Sequence, residues 1–251
     1  MRLINAEIIK LVRRRGTMIW CLLLTLGSVI VTEAVLVILH AVNGVRHGPA
    51  GGTTNLDHLV FVIGGLGTVA SILIGAAAGT QDVSAGVFRD LVVTGRPRRT
   101  LFNVRFPGAA AVFMPMLASA FGLAVVCSYV FAGGTDTPSA GTLGHYAAYL
   151  VGVTTVNIAV ALGLAAFASS RVVVGVLIAW VAIVAPLLAS IGGLGSVRKG
   201  SYVAAAVSLL PKGSDAGSRV AMSTATAVIV FVAWAIVFLL AGRVWTERRS
   251  A

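Results

Sequence analysis

The sequence predicts an all-α integral membrane protein with six transmembrane helices, and three observations predict it. The chain has 251 residues of which 58% are hydrophobic and only 11% charged, and its mean hydropathy is +0.97. Soluble domains carry about 25% charged residues. A globule of this size has too little polar material to cover its own surface, so lipid must be the solvent for much of the chain. Second, six runs are long enough to cross a hydrocarbon core, which takes about 20 apolar residues. Third, acidic and basic residues are nearly absent from those runs and gather at their ends. Backbone polar groups inside a bilayer must bond within their own segment, so the runs are helices and not open strands.

The first run, 17–42, follows a basic segment, "MRLINAEIIKLVRRRGTMIW". Leu3, Ile4, Ile8, Leu11 and Val12 share one helical face, and Arg2, Asn5, Lys10, Arg13 and Arg14 fill much of the rest. This spacing predicts a short amphipathic helix in the headgroup plane, an elbow leading into the first span. The run is too long for a signal-peptide core and no small-residue cleavage site follows it. It contains Glu33, the one acidic or basic residue within a run. An ionisable side chain in a span faces protein or water. Glu33 is therefore a candidate for the substrate pathway, for pairing with a cation such as Arg46, or for hydration near the outer boundary.

The second run is 59–81. It includes Gly75-Ala-Ala-Ala-Gly79, which permits close helix approach, although small residues are frequent throughout. Between it and the third run, 106–132, lies the charged stretch "GVFRDLVVTGRPRRTLF". Val83, Val87, Phe88, Leu91 and Val92 recur at helical spacing, which predicts a second amphipathic helix. Asp82 suits its start, Gly95 offers a left-handed cap, and Pro97 prevents continuation. The remaining runs are 146–170, 172–197 and 220–242. Pro115 and Pro186 are candidate kinks in the third and fifth. Between the last two runs, "YVAAAVSLLP" (202–211) is apolar but too short to cross, and reads as an interfacial or re-entrant helix on the outer side. No linker divides the chain, and residues 1–251 read as one membrane domain.

Net charge is +11. With the N-terminus inside, fourteen of the nineteen Lys and Arg residues fall in cytoplasmic segments, and only Arg46, Arg198, Lys199, Lys212 and Arg219 lie outside. This asymmetry puts both termini in the cytoplasm of a multi-pass protein. Basic residues at span ends answer to anionic headgroups, so nucleic acid is not an expected partner. The two cysteines, Cys21 and Cys127, lie in apolar runs without metal-ligand spacing. His40, His47, His58 and His145 are scattered on the outer side, and no metal site is expected from them. No GxxxxGK[ST] phosphate loop occurs, since "GLGSVRKGS" lacks the Gly-Lys-Ser/Thr ending. Among polar groups within the spans, Asn157, Thr154, Thr155, Thr224 and Thr226 are the chief ones.

The chain resembles the membrane subunit, or permease, of ABC-2 type exporters. "NAEIIKLVRRRGTMIW" is similar to the family's opening, in which an Ala-Glu pair and a Lys precede basic residues and an aromatic entry to the first span. "GVFRDLVVTGRPRRTLFNVR" resembles the segment between the family's second and third spans. Gly86, Leu91, Pro97 and Arg98 fall on its motif, Asp82 stands where an acidic residue is usual, Arg105 where Lys is common, and Val87 replaces the usual Thr. The resemblance implies that this segment, with Arg89 and Asp90, is a cytoplasmic coupling helix that docks on an ATPase. It further implies a bacterial plasma-membrane protein that is not itself an enzyme. The partners it implies are an ABC ATP-binding subunit, which holds ATP and Mg, and a second permease copy or sister permease. The apolar spans favour an amphiphilic cargo, such as a drug, an antibiotic, a lipid-like molecule or a peptide, with Glu33 and Asn157 on its pathway. Two alternatives stay open: a non-transporting membrane scaffold or immunity module of the same fold, and a secondary carrier driven by an ion gradient.

Overall fold

The computed structural model describes residues 2–84, 97–210 and 220–248. Among these the regular elements are all helical, and six helices are long and apolar enough to cross a membrane. Helix α1 is Arg2–Val12. Its Leu11 is fully buried, and the helix lies across the start of the third span. Gly108 makes that approach possible, because a Cβ there would sit 2.7 Å from the Glu7 Cβ. Lys10 Nζ pairs with Glu7 Oε1 at 2.5 Å.

The backbone breaks at Arg14 (φ −79°, ψ 74°), and the first span, α2 (Arg15–Val42), begins. One turn of it, Leu23–Gly27, is a π-turn. Thr25 Oγ1 donates to the Cys21 carbonyl at 2.7 Å, and Ser28 Oγ donates to the Thr25 carbonyl at 2.7 Å, so hydroxyls serve carbonyls that a widened turn leaves short of donors. The second span, α3 (Gly52–Ser84), has 33 residues and extends about 50 Å, well past a hydrocarbon core of about 30 Å. It corrects two expectations. The span begins seven residues before position 59, and Asp82 does not start a new helix but continues this one. The rest of the expected amphipathic helix, including Gly86, Arg89, Asp90 and Leu91, lies outside the described residues.

Pro97, in extended conformation, precedes the short helix α4 (Arg98–Asn103). The third span, α5 (Arg105–Val130), carries Pro115 within it, and Ser119 Oγ donates to the Pro115 carbonyl at 2.8 Å. The fourth span, α6, is Ala140–Leu164, about six residues upstream of the expected 146–170, because Ser139 caps it by accepting from Thr142 N at 3.2 Å. The fifth, α7 (Ser170–Ser190), contains a π-turn at Trp180–Val184 directly before Pro186. The wider turn makes room for a proline ring that cannot donate to the ladder. The span stops at Ser190 and not 197, since Ile191 is extended and Gly192–Gly200 forms tight 3-10 turns broken at Gly195 (φ 52°). Helix α8 (Tyr202–Leu209) follows, capped by Ser201, and the sixth span is α9 (Thr224–Arg248).

Two spans form the centre. The most apolar stretches of α3 and α6 are each 67% buried, against 17–28% for the other four spans. They run parallel and touch backbone to backbone. A Cβ on Gly75 would lie 2.8 Å from the Ile158 carbonyl oxygen, and one on Gly79 would lie 2.3 Å from the Ala165 Cβ. The Gly75–Gly79 pair is thus a packing surface. Helix α9 also runs parallel to α6, with Gly163 set against Phe238 and Gly242. At one end of the bundle, α1 rests on the start of α5 and the last turn of α9 meets α4, so both described chain ends lie there. At the opposite end, Gly51 N donates to the Phe131 carbonyl at 2.9 Å and Thr53 N to the Asp136 carbonyl at 2.9 Å. Among the described residues, Lys10, Arg13, Arg14, Arg15, Arg98, Arg99, Arg105, Arg171, Arg243 and Arg248 belong to the first end. Only Arg46, Arg198 and Lys199 belong to the second. They are called below the basic end and the distal end.

Candidate functional site

Toward the distal end, α6, α8 and α9 enclose a cavity of 410 Å³, open on one side. Small-molecule sites measure about 300–1,000 Å³. Gly152 of α6 faces the Phe231 ring of α9 within it, where a Cβ would meet the ring at 3.5 Å. The walls are largely apolar, with Val156, Leu209, Val228 and Phe231 among them, and the polar groups are His145, Tyr149, Thr155 and Thr224. His145 lies against the Tyr146 ring with centroids 6.0 Å apart. Tyr146 donates its hydroxyl proton to Asp57 Oδ1, tying α6 to α3 beside the cavity mouth. Such a space suits a molecule with a hydrophobic body and few polar groups.

Aromatic rings fix the α8 wall. Trp234 of α9 packs on Trp180 (6.2 Å between centroids), Tyr202 (5.1 Å) and Phe238 (5.3 Å, stacked). Its Nε1 donates to the Gly200 carbonyl at 2.8 Å. The bond anchors the segment before α8 against the sixth span at the level of Trp234. Burial pushes the Tyr202 phenol above its ordinary pKa.

The expected pathway residues occupy different places. Asn157 is 1% exposed and sits inside the α3–α6 interface, where its Nδ2 donates to Thr68 Oγ1 at 3.3 Å and to the Val153 carbonyl at 2.9 Å. It is an interhelical bond and does not line the cavity. Glu33 is 6% exposed on α2, and neither carboxyl oxygen has a hydrogen-bond partner among the described residues. Arg46, named as a pairing partner from sequence, is exposed and does not reach it.

At the basic end, Pro97 and Arg98 open α4, and α4 is fastened to the last turns of α9. Arg99 Nε lies 2.9 Å from Glu247 Oε1, and Arg243 Nε lies 3.0 Å from the same oxygen. Beneath them the buried Phe102 ring abuts Gly242, where a Cβ would come within 2.9 Å of its Cζ. Arg105, only 2% exposed, donates from Nη1 to the Gly79 carbonyl at 3.0 Å and ties the start of α5 to α3. Of the residues implied for coupling, the structure brings Pro97 and Arg98 to this end, and α3 carries Asp82 toward it. Gly86, Arg89, Asp90 and Leu91 are outside the described residues.

Sequence reasoning missed the Glu247 clamp and the cavity. For the clamp a signal existed in the Arg243–Glu247 spacing of four residues, which suits an ion pair on a helix. Among the described residues no group of three His, Cys, Asp or Glu side chains is placed to hold a metal ion. No family model and no curated protein matches the chain.

Proposed function

We propose that the chain is the membrane-spanning permease subunit of an ATP-driven ABC-2 type exporter. In this reading it moves an amphiphilic molecule out of a bacterial cell and draws its energy from a separate ATPase. The reading rests on the resemblance of residues 5–20 and 86–105 to that family and on one structural observation. A single helix, α9, borders the cavity with Thr224, Val228 and Phe231 and grips the basic segment α4 with Glu247 at its other end. Force applied to the segment beside α4 has a short, stiff route to the cavity wall. In the proposed orientation the basic end faces the cytoplasm, as its excess of Lys and Arg favours, α1 is the elbow, and an ATP-binding subunit docks on the stretch from Asp82 to Arg98. A second copy or a sister permease completes the pathway.

The test is purification of the full chain with the ATP-binding subunit encoded beside it, followed by reconstitution in liposomes. The expected results are a stable complex and efflux of a hydrophobic dye that needs ATP and survives ionophores. A chain that binds no ATPase, or efflux that stops with the ionophore, overturns the reading. Ion-coupled carriage is the second reading, and the observation that favours it is the carboxyl of Glu33 within a span, which has no hydrogen-bond partner among the described residues.

A further inference from the structure

The geometry points to Glu33 as a proton-binding site inside the bilayer. Glu33 lies in α2 nine residues before its end at Val42, about 13 Å along the helix axis. Its side chain is turned away from lipid and from water, and both carboxyl oxygens lack a partner among the described residues. An ionised carboxylate in such a place is costly by many kcal/mol unless something compensates its charge. The surroundings rule out most compensators. The elements packed on this part of the span are the turn Gly44–His47, α3 and α5. The turn carries Arg46 and His47, both exposed. On α3 are Asp57, already bonded to Tyr146, and His58. On α5 is Cys127, which is within electrostatic reach of Glu33 but brings no positive charge. His40 is on the same helix and exposed. None donates to the carboxyl. A metal cation needs about six oxygen ligands, and on this helix the hydroxyls of Thr25 and Ser28 are committed to backbone carbonyls. A proton fits: it needs no cavity and it neutralises the group.

The site stands on the six-span reading and is independent of the ATPase. The experiment uses the full chain in lipid nanodiscs at neutral pH. The infrared spectrum of the wild type minus that of Glu33→Gln is expected to show the carbonyl stretch of a protonated carboxylic acid. A hydrophobic carbodiimide supplies a second readout on the unaltered chain. The carboxyl proton moves to a carbodiimide nitrogen, the carboxyl oxygen bonds the central carbon, and the acyl group then migrates to nitrogen. Nothing leaves, so the Glu33 peptide gains the whole mass of the reagent, whereas Glu247 at the aqueous end is not modified. Absence of the infrared band overturns the proposal. If Glu33→Gln fails to assemble, absence of the adduct at Glu33 overturns it instead.

Discussion

Replacing Gly163 by alanine tests the packing that builds the cavity wall. Alanine is the better helix former by about 1 kcal/mol, so local propensity alone calls for stabilisation. The neighbours call for the reverse. The new Cβ would lie 2.2 Å from the Phe238 carbonyl oxygen and 2.6 Å from its carbonyl carbon, and these are backbone atoms that no rotamer can move. Ordinary contact is about 3.5 Å, so α6 and α9 must separate by about 1.3 Å. Overpacking of that kind costs about 1–3 kcal/mol. At about 2–4 °C per kcal/mol for a chain of this size, the midpoint should fall by roughly 2–12 °C. The matched control is Gly122→Ala on α5, where a Cβ would meet nothing within 4 Å. Thermal unfolding in one detergent, followed by circular dichroism, should show Gly122→Ala unchanged or slightly raised and Gly163→Ala lowered. If both variants melt together, close approach of α6 and α9 is not what holds the wall, and the reasoning fails.

Other consequences are as direct. Glu247→Gln should lower thermal stability by less than about 1 kcal/mol, because Arg99 is largely solvent-exposed. Under the proposed function the same variant should cut ATP-driven efflux severalfold, and charge-swapped Arg99→Glu with Glu247→Arg should restore part of it. Thr155→Trp should abolish binding of a hydrophobic dye, measured by fluorescence, while leaving the melting point within a few degrees, since it fills open space. Tyr146→Phe should destabilise by about 1–3 kcal/mol in thermal unfolding, because Asp57 loses its donor. Reversing Arg89 and Arg98 together should leave the chain folded in the membrane yet release the ATPase in a pull-down; full efflux with both reversed would remove the coupling assignment.

The six spans were legible because hydrocarbon thickness imposes a length and a composition on each. Their ends were less so. Acidic Asp82 satisfies a helix start as well as a helix interior, and only the continuous ladder of α3 distinguishes them. The run at 146–170 was placed too late because Ala165, Ala166 and Ala168 are apolar enough to extend it, whereas the Ser139 cap had already begun the helix. Gly192, Gly193 and Gly195 were visible breakers, yet the hydrophobic residues among them carried the fifth run past Ser190. Glu33 stood out in the sequence; its lack of partners did not, because that depends on what three other elements withhold. The cavity was hidden for a similar reason. Gly152 and Phe231 line it from two different helices, and nothing local to either residue reports the other.

The common direction of α3, α6 and α9 has an electrostatic result. Each helix sums its peptide dipoles into a partial negative charge where its free carbonyls lie. At the basic end the negative poles of α6 and α9 stand among the opening turns of α2, α5 and α7, whose free N–H groups carry the opposite sign. Arg105 donates to the Gly79 carbonyl within α3, and Arg243 and Arg248 ride on the last turns of α9 itself. Arg243 and Arg248 therefore meet the negative pole of the helix that carries them, and Arg105 pins a peptide dipole of its neighbour. Removing these charges would leave both places without a cation and loosen this end of the bundle.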